Sequence, residues 1–112
     1  MNIEKYQRRR SSEVHIGSVT IGGGNPVAVQ SMTNTPTADT AASVAQVERI
    51  ARAGAPIVRL TAQGRREGEN LRNIVDRLRA DGFDTAVVAD IHFAPEVASI
   101  AAQYVDLSLI HI

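Results

Sequence analysis

The sequence has no cysteine and no tryptophan, and only two phenylalanines and two tyrosines. The missing cysteine excludes disulfides, thiolate metal sites and cysteine nucleophiles from this stretch. No apolar run approaches the roughly 18 residues of a membrane-spanning helix. The first twelve residues, MNIEKYQRRRSS, are polar, so we do not read them as a secretory signal. Twelve basic residues balance twelve acidic ones, so no bulk field favours nucleic acid or a membrane. At 44% hydrophobic and 21% charged, the composition is that of an ordinary soluble domain. One bias remains: nearly all the basic residues are arginine, which suits bidentate binding of phosphate or carboxylate but also follows from a GC-rich genome.

Residues 1–13 carry Arg8, Arg9 and Arg10 without periodicity and read as a loosely docked arm. Val14, Ile16, Val19 and Ile21 alternate around Gly17-Ser18, the pattern of a hairpin with a two-residue turn. GGGNP at 22–26 lacks the Lys-Ser/Thr of a phosphate loop and reads as a turn.

From Val27 the chain falls into repeating units. Strands are expected at 27–32, 57–61 and 85–90. Each is followed by a polar loop and an apolar stripe at helical spacing. The stripes are Val44, Val47, Ile50, Ala51; Leu71, Ile74, Val75, Leu78; and Val97, Ile100, Ala101, Tyr104. Asp39 is placed to cap the first helix, Pro95 to open the third, and Gly54 and Gly82 to stop the first two. Three such units predict an α/β fold with a parallel sheet, either doubly wound or a (β/α)8 barrel.

The strand ends favour the barrel. Gln30 and Ser31, Arg59 and Thr61, and Asp90 and His92 sit at consecutive strand ends. In a barrel those ends converge on one mouth, whereas in an open sheet only the switch point is shared. Arg59 lies between Val58 and Leu60 and must reach an anion at the mouth or pair internally, for instance with Asp90. Asp90 and His92, two apart on a strand, share a face, so the carboxylate can orient the imidazole for acid or base work. A backbone-satisfied loop histidine fits as well, and no third metal ligand is evident. Ser31 has no nucleophile elbow around it. His15 reads as a surface residue. Arg65-Arg66 opens the second helix, where cations oppose the dipole; either an anion nearby or solvent exposure accounts for them.

Three motifs carry a resemblance: VQSMTNTPTADT, AGAPIVRLT and VADIHF. The chain resembles the 4-hydroxy-3-methylbut-2-en-1-yl diphosphate synthase family from about Tyr6 to Asp106, and LTAQGRRE is most similar to its longer variants. That resemblance implies a TIM barrel followed by a domain holding a 4Fe–4S cluster. It implies reductive opening of 2-C-methyl-D-erythritol 2,4-cyclodiphosphate, a step of non-mevalonate isoprenoid biosynthesis, with ferredoxin or flavodoxin as electron donor. It further implies a cytoplasmic homodimer. Arg59 matches a diphosphate-binding arginine, and Gln30, Ser31, Met32 and Thr33 match residues lining the mouth. Asp90 and His92 match the catalytic motif at the substrate site.

The chain departs from the family after Asp106. A basic residue and an R-I-N-P-G-N motif are expected there, but the sequence reads LSLIHI and carries no cluster ligand. We therefore expect an inactive N-terminal portion of about three βα units. Residues 14–106 would be partial barrel and 107–112 a non-native tail, since LSLIHI is one translation of a transposon end used in sequencing libraries. His111 would then have no function. The alternatives are a dihydropteroate-synthase-like barrel, which VADIHF disfavours, and a short non-catalytic α/β binding module.

Overall fold

A computed structural model of the chain describes residues 9–92 and 95–111. Lys5, Tyr6 and Arg8 of the arm, Phe93 and Ala94 of the third loop, and Ile112 lie outside the described residues.

The hairpin forms as expected, with β1 (Val14–Ile16) antiparallel to β2 (Val19–Ile21) and Gly17 turning at φ 56°. Three βα units follow: β3 (Gln30–Met32), α1 (Thr40–Arg52), β4 (Ile57–Ala62), α2 (Arg65–Ala80), β5 (Ala86–His92) and α3 (Pro95–Ala101). A further strand, β6 (Leu107–His111), closes the described chain. The sheet runs β3-β4-β5-β6, every neighbour parallel and in chain order. Sequential order without reversal is the order of a barrel wall, not of a doubly wound sheet.

The helices begin and end where their local chemistry directs. Asp39 accepts a hydrogen bond from the Ala42 amide at 3.1 Å and caps α1. Gly54 follows the last turn of α1 at φ 111°, and Gly82 follows α2 at φ 87°. At the start of α2, Glu67 accepts from the Gln63 amide at 3.0 Å, and Arg65 pairs with Glu69 at 3.0 Å. Arg65 and Arg66 are both solvent-exposed.

Alternation along the strands sorts side chains onto two faces. Val58, Leu60 and Ala62 of β4 and Val87, Ala89 and Ile91 of β5 face the helices, packing with Val44, Val47, Leu71, Ile74, Leu78 and Val97. Ile57, Ala86 and Val88 lie on the other face, where Ile16 of the hairpin covers them. The hairpin thus closes the amino-terminal end of the inner face. It is held there by a bond from Ser18 Oγ to the Asp84 carbonyl at 2.9 Å.

Three expected element bounds need correction. Residues 27–29 do not join β3, which starts at Gln30. Val27 and Val29 are 95% and 59% exposed, and Pro26 before them offers no amide for a ladder. The third helix stops at Ala101, so Tyr104 lies in the turn after it. The third strand runs on to His92, two residues past its expected end. Residues 107–111, expected to be a tail, pair with β5 in register Val88↔Leu107 to His92↔His111. Such pairing uses backbone groups and needs only apolar side chains at alternate positions, which Leu107 and Leu109 supply.

Candidate functional site

Arg59, Asp90 and His92 meet on the inner face of the sheet, toward the carboxyl ends of β4 and β5. Arg59 belongs to the set with Ile57, and Asp90 and His92 to the set with Ala86 and Val88. Arg59 Nε and Nη2 both donate to Asp90 Oδ2, at 3.0 and 2.8 Å. His92 Nε2 stands 3.4 Å from the same oxygen. Asp90 is 1% exposed, whereas the side chains of Arg59 and His92 are about a quarter exposed. A carboxylate buried to that degree is tolerable only with a charged partner and hydrogen bonds. The sequence left Arg59 between an anion and Asp90, and the structure shows the bond to Asp90.

That bond does not exhaust the guanidinium. Two of its donors go to Asp90, and a guanidinium has five. The partly exposed remainder can grip an anion from the mouth, with Asp90 fixing its plane. His92, beside the same carboxylate, is placed to donate or accept a proton at a bound ligand.

The β3 residues divide. Met32 stands in register with Arg59 and is 45% exposed. Gln30 stands in register with Ile57, one layer nearer the hairpin, and lines a hollow of about 520 Å³ with Ile57, Leu107 and Leu109. Ser31 is in register with Val58, whose side chain belongs to the helix-covered core. Thr33 is buried, and its amide donates to the Arg59 carbonyl at 3.0 Å, tying the first loop to β4. His15 is exposed and bonds Thr20 within the hairpin.

The sequence reading missed the residues that hold the loop after β3. Ser43 Oγ donates to the Pro36 carbonyl at 2.9 Å, and Asn70 Nδ2 to the Thr37 carbonyl at 2.8 Å. Gln46 binds Asn34. A signal existed: Ser43 and Gln46 are polar residues at the helical spacing of Val44 and Val47, on the side of α1 that turns inward. Among the described residues no group of three histidine, aspartate or glutamate side chains is arranged to hold a metal ion. With no cysteine in the chain, the residues present do not fit a 4Fe–4S cluster. Nor is any described helix long and apolar enough to cross a membrane.

Comparison with known proteins places the chain in a family. A family model described as the GcpE TIM-barrel domain matches residues 11–111. The 4-hydroxy-3-methylbut-2-en-1-yl diphosphate synthase (flavodoxin) of Phocaeicola vulgatus is 57% identical over 106 residues, which are 95% of this chain and 17% of that protein. The enzyme of the same name from Bacteroides fragilis is 56% identical over the same shares. That of Leptospira interrogans is 46% identical over 90% of this chain and 15% of its own length. The chain thus spans about one-sixth of the length of these curated relatives.

Proposed function

Since the chain belongs to the GcpE TIM-barrel family, we propose that it forms the first part of the substrate barrel of a 4-hydroxy-3-methylbut-2-en-1-yl diphosphate synthase. The ligand held at its strand ends is 2-C-methyl-D-erythritol 2,4-cyclodiphosphate, and the whole enzyme opens that ring reductively. The observation that carries this reading is the juxtaposition of Arg59, Asp90 and His92 at 2.8–3.4 Å on the face where a barrel gathers its strand ends. The contributions of the three are distinct. Arg59 neutralises and orients a phosphate, Asp90 fixes the guanidinium and the imidazole, and His92 handles a proton at the departing oxygen. Met32 and Thr33 shape the adjoining lip, and Gln30 and Ser31 support it from a lower layer and from the helix side.

This chain offers no cysteine to an iron–sulfur cluster, and its part in the reaction is to hold the ligand. We read flavodoxin as the electron donor of the whole enzyme, because the relatives carry it in their names. A cytoplasmic homodimer is part of the same reading.

The test is a chimera. Residues 1–106 are joined to the remainder of the Phocaeicola vulgatus enzyme, and ring-opening of the cyclodiphosphate is assayed. Activity that disappears in an Arg59→Ala chimera that remains folded supports the reading. A folded chimera with a full cluster and no activity, beside an active parent, sinks it.

A further inference from the structure

Strand β4 is buried at Ile57, Val58, Leu60 and Ala62, and only Arg59 and Thr61 keep part of their surface in solvent. Alternation from Ile57 and Arg59 puts the Thr61 side chain on the inner face, away from the helix-covered set of Val58, Leu60 and Ala62. The register pairs Thr61 with Asp90 across β4 and β5. Neighbouring strands lie about 4.8 Å apart, so the two side chains rise next to each other from one row.

The Arg59 guanidinium reaches the same row. Arg59 itself is in register with Val88, one inner-face row nearer the hairpin. Its Nε and Nη2 bond Asp90 Oδ2 at 3.0 and 2.8 Å, so the head of the side chain is drawn up to the carboxylate that neighbours Thr61. Thr61 carries the one hydroxyl among the inner-face residues of β4 and β5. Among the described residues nothing bonds that hydroxyl. Valine would supply the same shape and suit a strand equally well. A half-buried hydroxyl without a partner costs free energy that valine avoids, and a partner arriving from the mouth offsets that cost.

We propose that Thr61 is a further ligand-binding residue, whose hydroxyl donates to a phosphate oxygen of the anion held by Arg59. This rests on the cyclodiphosphate reading for the ligand's identity, whereas the donor role itself requires only a phosphate anion. Asp90, as a carboxylate, can only accept a hydrogen bond and repels a phosphate. The anion therefore lies toward the donors of this row, which are the remaining guanidinium N–H groups and the Thr61 hydroxyl. Both donors stand on one strand whose register with β5 is set before the ligand arrives, so little reorganisation accompanies binding.

The experiment follows the Arg59 Nε–H and the Thr61 methyl group by NMR in the isotope-labelled 112-residue chain. Inorganic pyrophosphate and the cyclodiphosphate are titrated separately, and both signals are expected to move with both ligands. Thr61→Val keeps the shape and removes the hydroxyl. It is expected to weaken binding about tenfold, the loss of one hydrogen bond to a charged group, and to melt no lower than the wild type. Thr61→Ser keeps the hydroxyl and is expected to bind as the wild type does. Equal weakening by valine and serine would mean that the methyl group is what counts. A Thr61→Val chain that melts lower would place the hydroxyl's bond inside the protein. Either result overturns the proposal. If Thr61→Val binds as the wild type does while the Arg59 signal moves with the cyclodiphosphate, the donor role is wrong and the substrate reading stands. If pyrophosphate binding depends on the hydroxyl and the cyclodiphosphate moves neither signal, the substrate reading fails and the donor role stands. Silence of both residues with both ligands overturns both.

Discussion

Arg59 donates two hydrogen bonds, from Nε and Nη2, to a single oxygen of Asp90, the most buried charged residue at the strand ends. The pair is therefore structural, besides the ligand-binding part proposed for Arg59. Removing the guanidinium leaves a buried carboxylate without its cation, a loss of about 3–5 kcal/mol for broken buried pairs. Arg59→Leu should lower the unfolding free energy read from urea denaturation by that amount, and Arg59→Lys by less, since an ammonium restores charge but not the fork. Asp90→Asn should couple to both in a double-mutant cycle. Additive effects would show that the bond contributes nothing to stability.

His92 should separate cleanly from that pair. Its ring is partly exposed and stands beside Asp90 rather than in the helix-covered core. In the chimera, His92→Ala is expected to lower kcat about 10²-fold or more, the usual worth of a positioned acid or base. KM and the melting temperature should change little. A rise in KM with kcat intact would assign His92 to binding instead.

Glu48 of α1 gives the fold an acid-side pH dependence. Its carboxyl is raised above the usual 4.5, first by a hydrogen bond with Asp81 and then by burial and the charge of Asp81; Arg52 and Arg77 oppose the rise. Two carboxyl groups can share that hydrogen bond only if one holds a proton. Between 4.5 and the raised value, the folded state keeps a proton that the unfolded chain has released. The contribution is thus fully present below 4.5 and fades as pH rises through the raised value. Glu48→Gln should flatten this decline and leave the protein more stable at neutral pH. Denaturation midpoints across pH 4–7 (a range set by roughly where carboxyls titrate) check this, and an unchanged slope contradicts it.

Gly68 lies inside α2, where helix propensity alone favours alanine by about 1 kcal/mol. A Cβ there would stand 2.8 Å from Val97 Cγ1. Val97 is β-branched and in a helix, so it cannot rotate away freely. Overpacking of roughly 1–3 kcal/mol should outweigh the propensity gain. Gly68→Ala should therefore destabilise, and adding Val97→Ala should relieve the clash part of that loss. A Gly68→Ala protein that melts higher than the wild type would show that α3 yields.

The elements legible in the sequence are those written in local periodicity. The hairpin alternation, the stripes of α1 and α2, the Asp39 cap and the apolar runs of β4 and β5 each reside within a dozen neighbouring residues. Arg59, Asp90 and His92 were legible for a related reason: a charged residue among apolar ones is conspicuous. Residues 27–29 were misread because their apolar character says nothing about where the partner strand begins, and β4 begins at Ile57, opposite Gln30. Gln46 with Asn34, Asn70 with Thr37, and Glu48 with Asp81 were not legible as pairs, even where one member, such as Gln46, stood out by its spacing. Each pairs residues on different elements, and ordinary helix-surface polarity disguises them.

The amino ends of the strands hold a second set of ties. Arg79 donates to the carbonyls of Phe83 and Thr85 at 3.0 and 2.9 Å, and its Nη2 approaches Asp106 Oδ2, which itself accepts from the Val87 amide. Gly17 rests so close to Asp106 that a Cβ would meet its carboxylate at 2.8 Å. These ties and the Arg59–Asp90–His92 group occupy opposite ends of the same strands. The strands are thus anchored at both poles, so a change that loosens the hairpin end leaves the Arg59–Asp90 bond to hold the other end in register.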